Sequence, residues 1–359
     1  MSCPSLNITS EPTGSMPGSG QLPFMQFAEW LVAPVRLALL ELAIELKLPD
    51  IVAENGGISG IAARLGTSRQ DKLAYILDAM AASGLLYKEN GVYRNTKLAE
   101  SYLCKGKTTY LGDLLLSLKG MQHRNLCRLK DSLFSELPVL SANQTLHGEE
   151  HWKRSVLGLA GYQKAGAADA LAEIAVALPG AEQFRTMLDI GCGPGVTALR
   201  ILQQLPRLHL ALCDFPHVLR ITEEEVRFNG LNNRVSFRPG DYNCTDLGSG
   251  YDLIWACQSL YYAKDLRAFC KRLFDALTPG GLFVSIHEGI RRESTEPAML
   301  ILSRLSLALE GQDVSFTKGR IAGAAVEAGF TQAQSASLPM LYGDADCEVF
   351  QKPTRAGAV

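Results

Sequence analysis

The stretch Leu188–Gly195, LDIGCGPG, sets an aspartate and three glycines directly behind an apolar run. Gly191, Gly193 and Gly195 let a chain turn tightly and let a ligand approach backbone that side chains would otherwise screen. A second acidic residue, Asp214, closes the next apolar run, LHLALCD, at about the 20-residue offset where a carboxylate can accept from both hydroxyls of a ribose. Dinucleotide sites use Gly-x-Gly-x-x-Gly and aim a helix start at pyrophosphate. Here the spacing is shorter and Asp189 precedes the turn, a charge that repels pyrophosphate and suits a cationic ligand bearing an ammonium group. S-adenosylmethionine is such a ligand.

The elements that must hold these residues are legible as alternation. The apolar runs TMLDIG, LHLALCDF, VSFRPGDY, YDLIWACQSL and GLFVSIHEG alternate with helical segments such as VTALRILQQL, VLRITEEEVRFNG and DLRAFCKRLFDAL. Such alternation builds βαβ units, a parallel sheet with helices on both faces, so the expected class is α/β with a C-terminal Rossmann-like, doubly wound sheet. The segments SASLPMLYG and CEVFQK read as an antiparallel hairpin at the sheet edge. Further upstream, LALLELAIELKLPD reads as an amphipathic helix stopped near Pro49, followed by a short helix, a Gly66 turn, a longer helix and a hairpin around Asn90-Gly91. Helix, turn, helix and hairpin describe a winged-helix module. The expected organisation is a disordered tail over 1–20, a mainly helical winged-helix domain over 21–104, a helical roof to a substrate pocket over 105–180, and the Rossmann-like domain over 181–359.

Composition narrows the function. With 35 Lys and Arg against 37 Asp and Glu, the formal charge is -2, and no global field draws the chain onto nucleic acid or anionic lipid. The second helix of the winged module carries Arg69 and Lys72 against Asp71 and Asp78, so a scaffold or dimerisation role fits it better than DNA reading. No uncharged run approaches the roughly 20 apolar residues of a membrane span. The nine scattered cysteines without a C-x-x-C pair, and a Ser/Gly/Pro-rich start without a signal-peptide core, fit a cytoplasmic protein with reduced thiols. The stretch HGEEH, His147–His151, matches a zinc-protease pattern, but its Gly and the want of a nearby third ligand favour a solvated loop or helix entry, and no metal is expected.

In this order and spacing, LDIGCGPGVTALRI, CDFPHV, RPGDY and LTPGGLFVSI resemble the motifs of class I S-adenosylmethionine-dependent methyltransferases. With RLALLELAIELKLPDIV, LAYILDAMAASGLL and GVYRNT, the chain from about residue 25 onward is similar to the small-molecule O-methyltransferases of the caffeate, hydroxyindole and polyketide-tailoring type. The resemblance implies a homodimer formed through the N-terminal domain and a small, aromatic or polycyclic acceptor. It implies that Asp189, Gly191, Gly193 and Gly195 line the methionine end of S-adenosylmethionine, and that Asp214 holds the ribose. Phe215 would contact the adenine face, and Gly240, Asp241 and Tyr242 would sit by the adenine, with Asp241 accepting from its amino group. Gln258 would approach the methionine part or the substrate.

One part of the pattern is broken. Plant-type members carry a catalytic His after the fourth strand and two Glu that orient it; counted without gaps, these positions fall on Ser259, His287 and Ser315. Tyr261, Tyr262 and His287 then become the candidates for relocated acid–base work, His287 first among them because an imidazole titrates near neutrality. Three routes stay open: an acceptor acidic enough to react by proximity alone, a base role for His287, or use of the bound cofactor for hydroxylation or a pericyclic reaction. A winged-helix regulatory protein is the remaining alternative.

Overall fold

The computed structural model describes residues 24–134 and 149–354. The 1–20 tail and the His147 end of the HGEEH stretch lie outside the described residues. Contacts divide the chain between Ala99 and Glu100.

In the first unit, α1 (Met25–Glu45) ends where Lys47 takes a left-handed conformation, and Pro49 opens α2 (Leu48–Glu54) rather than stopping α1. Proline is suited to a first helical turn, where its missing N–H costs nothing. Then come α3 (Ile58–Leu65), a left-handed Gly66, α4 (Gln70–Ala82), and the antiparallel pair β1 (Leu86–Glu89) and β2 (Val92–Asn95). The tight turn between the strands uses positive φ at both Asn90 and Gly91, the pattern a two-residue hairpin requires. Leu48, Ile61, Leu77, Met80 and Tyr93 are fully buried in a small core; burial of a Leu such as Leu77 contributes about 1.5–3 kcal/mol. On α4 and its neighbours the charges are internally paired, Arg69 with Asp71 and Lys88 with Asp78. α1 buries only Leu39, Ala43 and Ile44, and leaves Phe27, Trp30, Leu31 and Val35 more than half exposed.

Helix α5 (Lys97–Tyr102) spans the division. In the second unit, α6 (Gly112–Gln122), α7 (Glu149–Tyr162) and α8 (Ala168–Val176) precede the sheet, the last two joined by a π-helical turn with Gly166 at φ 124°. The sheet then builds as β3 (Thr186–Ile190), α9 (Val196–Gln204), β4 (His209–Asp214), α10 (Pro216–Phe228), β5 (Val235–Pro239), β6 (Tyr251–Cys257), α11 (Leu266–Ala276), β7 (Leu277–Ile290), α12 (Ala298–Leu309), β8 (Phe316–Thr317), α13 (Arg320–Glu327), β9 (Thr331–Met340) and β10 (Gly343–Gln351). The strand order is β5-β4-β3-β6-β7-β10-β9, with β8 beside β7. Pairs from β5 through β7 are parallel, while β7/β10 and β10/β9 are antiparallel, so the terminal hairpin forms the edge expected of it. Strand β3 is buried on both faces, as an apolar run in a central parallel strand must be. The chain runs from β3 outward to β4 and β5, then returns to lay β6 on the other side of β3. That reversal opens a crevice beyond the C-terminal end of β3, the place where doubly wound sheets bind ligands. No helix of the described residues is long and apolar enough to cross a membrane.

Candidate functional site

The glycine turn sits in that crevice. Gly191, Gly193 and Gly195 all have positive φ, at 66°, 53° and 76°. Two of them are fixed by protein contact: a Cβ on Gly191 would lie 2.5 Å from Cβ of Ser259, and one on Gly195 would lie 2.6 Å from Cγ2 of Thr222. Around Gly193 there is open space, the side from which a ligand can approach. The amides of Gly191 and Cys192 donate to the carbonyl of Cys213 at 2.8 and 3.2 Å, lashing the turn to β4.

Asp214 fixes the turn from its other side. Its Oδ2 accepts from the Gly193 amide at 2.9 Å and its Oδ1 from the Phe215 amide at 2.7 Å. Burial pushes its pKa up to about 6, against the lowering effect of those two amides. Asp189, at the end of β3, is 5% exposed and faces the cavity, with no ion pair among the described residues. Burial, and then the charge of Asp214, push its pKa up to about 8. A buried carboxyl without a countercharge is costly to ionise, and a cation placed beside it would offset that cost.

The cavity measures about 450 Å³, within the range of small-molecule sites. Asp189, Gly191, Gly193, Asp214, Phe215, Gly240, Asp241, Tyr242, Gln258, Ser259 and Tyr261 all line it; Gly195 does not, and instead seats α9 against Thr222. Phe215 is 40% exposed, its ring stacked on His217 at 5.6 Å and 8°, which leaves a flat apolar face. Asp241 is held by Asn243, whose amide and side chain donate to Oδ1 at 2.9 and 2.7 Å, and it meets Lys264 through Oδ2 at 3.4 Å. Burial alone would raise its pKa; the Asn243 bonds and Lys264 carry it below the ordinary carboxylate value. Tyr242 is buried, and its hydroxyl donates to the carbonyl of Ser259 at 2.7 Å. Two hydroxyls of residues that line this cavity, Oγ of Ser259 and Oγ1 of Thr197, are buried with no hydrogen-bond partner among the described residues. An uncountered carboxyl, two orphaned hydroxyls and an open backbone approach fit the polar methionine end of S-adenosylmethionine, and the flat face of Phe215 fits its adenine.

The structure corrects the reading of His287 as a general base. The ring is 3% exposed and does not line the cavity. Its Nε2 accepts from the amides of Ser259 and Leu260 at 3.1 and 3.0 Å, so the proton sits on Nδ1, which meets Oγ of Ser285 at 2.9 Å. Both nitrogens are occupied, and burial lowers the pKa to about 3. His287 is a clamp on the segment after β6. Gln258, in a left-handed conformation at φ 53°, and Tyr261 emerge from that clamped segment and converge on Glu288, at 2.5 Å each. Ser259 itself faces the glycine turn, and a neutral serine hydroxyl is no base.

Over the crevice lie α6, α7 and α12, which present Leu114, Met121, Val156, Tyr162, Leu300 and Leu307 to the cavity. Phe134, within the 105–180 segment expected to roof the pocket, is 81% exposed instead. Several residues that hold the site carry no sequence signal. Arg272 on α11 donates to the carbonyls of Tyr242, Asn243 and Thr245, fixing the loop that bears Asp241. The Glu310 side chain, 2% exposed, binds Arg124 at 3.0 Å and Asn125 at 2.6 Å, tying the end of α12 to the segment after α6. The edge hairpin supplies Met340 and Tyr342.

Comparison with known proteins agrees with this geometry. Residues 188–283 match the model of a methyltransferase domain, and residues 33–105 match that of an O-methyltransferase dimerisation domain. The chain is 27% identical over 249 residues, 67% of its length and 70% of the relative's, to a 3-hydroxy-5-methyl-1-naphthoate 3-O-methyltransferase of Streptomyces sahachiroi. It is 26% identical over 324 residues to the N,N-dimethyltransferase OxyT of Streptomyces rimosus, covering 85% of this chain and 90% of that one. Its fold is that of an O-methyltransferase family protein from Burkholderia thailandensis, with a TM-score of 0.75 at 22% identity over 94% of this chain and all of that one. It also matches human N-acetylserotonin methyltransferase, solved with S-adenosylmethionine, with a TM-score of 0.74 at 19% identity over the same shares.

Proposed function

We propose, from the premise that this chain is an S-adenosylmethionine-dependent methyltransferase with an O-methyltransferase dimerisation domain, that it methylates a hydroxyl group on a small fused-ring aromatic metabolite. The observation that carries this reading is one cavity with two chemistries. Its floor holds the uncountered Asp189 and the glycine turn, and its roof is the apolar surface of α6, α7 and α12. The named activity of the Streptomyces sahachiroi relative, O-methylation of a hydroxynaphthoate, is consistent with a flat apolar acceptor.

When bound, S-adenosylmethionine supplies a methyl group on a sulfonium and departs as S-adenosylhomocysteine. The chain's own part is to bind and align. Asp189 receives the ammonium group, Asp214 the ribose, Phe215 and Asp241 the adenine. The roof holds the acceptor ring and excludes water, so that the reacting oxygen is presented in line, a contribution that can reach about 7–11 kcal/mol when alignment is good. With Ser259 where plant-type members have their base, no imidazole takes part.

The exposed apolar face of α1 around Phe27, Trp30 and Leu31 is the surface through which the chain forms a homodimer. The test uses methyl-labelled S-adenosylmethionine with 2-naphthol as acceptor, alongside sedimentation of the full chain. Labelled 2-methoxynaphthalene from a dimer supports the reading. Tight cofactor binding with no label in any hydroxylated fused-ring acceptor overturns the acceptor class.

A further inference from the structure

Glu288 is 3% exposed, at the end of β7, and no cation pairs with it among the described residues. Its Oε1 accepts from Nε2 of Gln258 and its Oε2 from the hydroxyl of Tyr261, both at 2.5 Å. Its own amide donates back to the Tyr261 oxygen at 2.9 Å. Tyr261 is held edge-on against His287 and tilted against Phe316, so its ring cannot swing away without breaking both contacts. Gln258 and Tyr261 line the cavity and Glu288 does not. The carboxyl therefore communicates with the cavity through the tyrosine oxygen, which donates one hydrogen bond, accepts one, and keeps a lone pair.

Resting on the acceptor reading above, we infer that Tyr261 and Glu288 form a proton relay that takes the place of the missing histidine. The acceptor's hydroxyl proton passes to the Tyr261 oxygen as the tyrosine's own proton passes to Oε2 of Glu288. The electron pair freed on the acceptor oxygen forms the new oxygen–carbon bond. The carbon–sulfur bond breaks with its pair left on sulfur; once the product has left, Glu288 returns its proton to the Tyr261 oxygen as the tyrosine gives its own to solvent water. Tyr261 touches the acceptor; Glu288 acts through it.

The surroundings suit that task. The titratable groups that feel Glu288 are Cys257 from β6, Tyr261, Tyr162 from α7 and Tyr342 from the edge hairpin, each pushed up by burial first and by the Glu288 charge in addition. All are neutral near pH 7, so none of these groups cancels the carboxylate. Burial raises the Glu288 pKa against the hydrogen bonds of Tyr261 and Gln258, which makes it a better proton acceptor than an exposed glutamate.

The test compares wild type, Glu288→Gln and Tyr261→Phe on 2-naphthol and on a nitro-substituted naphthol that is already ionised at neutral pH. Circular dichroism and calorimetric S-adenosylmethionine affinity check the fold. On 2-naphthol kcat should fall about a hundredfold in both variants and recover as pH rises, while the nitronaphthol should be nearly unaffected. With the protein saturated in S-adenosylhomocysteine, wild type and Glu288→Gln should bind 2-naphthol more tightly than 2-methoxynaphthalene, which has no proton to give, and Tyr261→Phe should lose that preference. Equal losses on both naphthols, or an unchanged preference in Tyr261→Phe, overturn the relay while leaving the acceptor reading intact. Transfer to neither naphthol by a wild type that binds the cofactor removes the acceptor reading, and the relay with it. Should Glu288→Gln fail to fold, Tyr261→Phe alone decides.

Discussion

Nε2 of His287 accepts from two successive backbone amides, those of Ser259 and Leu260. That relationship turns a residue with an attractive intrinsic pKa into a structural acceptor. Replacing it by Ala leaves two buried amides unsatisfied and should cost about 2–4 kcal/mol, read as a lowered denaturant midpoint. His287→Gln, whose carbonyl can accept, should recover part of it. Neither should remove an ionisation from the pH–rate profile.

The same residue sets a pH dependence. Its pKa is about 3 in the folded chain, from an ordinary 6.5. Between these values the unfolded chain holds a proton that the folded chain refuses, so stability falls as pH falls through that window. Melting temperatures measured from pH 7 to 4 should drop more steeply in wild type than in His287→Gln.

The site was legible to different depths for different residues. Asp189, the glycines and Asp214 could be placed at the crevice because the turn is local: each lies within it or at a fixed strand offset from it. His287 was misread because sequence gives its intrinsic pKa but not which amides will stand over it from a different βα unit. Arg272 and Glu310 were invisible for a related reason. They bind backbone carbonyls or partners far away in the chain, and on a helical periodicity they look like ordinary polar positions. The fold itself was legible because alternating apolar runs report a parallel sheet whatever the loops do.

Asp189 gives a signature independent of turnover. Its pKa of about 8 means that receiving an ammonium group near pH 7 must release a proton. Cofactor affinity should therefore tighten as pH rises toward 8, and calorimetry in buffers of different ionisation enthalpy should register the release. Asp189→Asn should bind about 10–100-fold more weakly without either effect. For folding stability the sign reverses: a pKa raised from 3.8 makes stability fall as pH rises through about 8, so the Asn variant should be the more stable at alkaline pH.

Two glycines separate packing from binding. Gly191→Ala drives a Cβ to 2.5 Å from Ser259 and strains a φ of 66°, so it should lose about 1–3 kcal/mol of stability and cofactor affinity together. Gly193→Ala meets nothing within 4 Å. It should fold with a loss of about 1 kcal/mol yet bind S-adenosylmethionine poorly, because its methyl group occupies the ligand's approach.

Glu310 should behave as a roof fastener. Its removal as Ala takes a buried anion from Arg124 and Asn125 and should cost about 1–3 kcal/mol. Glu310→Gln should lose less. In both, the acceptor KM should rise more than the cofactor Kd, since only the roof is loosened.

The edge hairpin reaches the cavity through Met340, the last residue of β9, and Tyr342, in the two-residue turn before β10. Neither strand contributes to the cofactor cradle at β3 and β4. Mutational drift can therefore resize one wall of the acceptor chamber, by lengthening this turn or swapping its side chains, with no toll on cofactor retention. The same holds for α6, α7 and α12. A gene of this architecture can change its acceptor while remaining a methyl donor's host throughout, a short evolutionary path from one natural product to another.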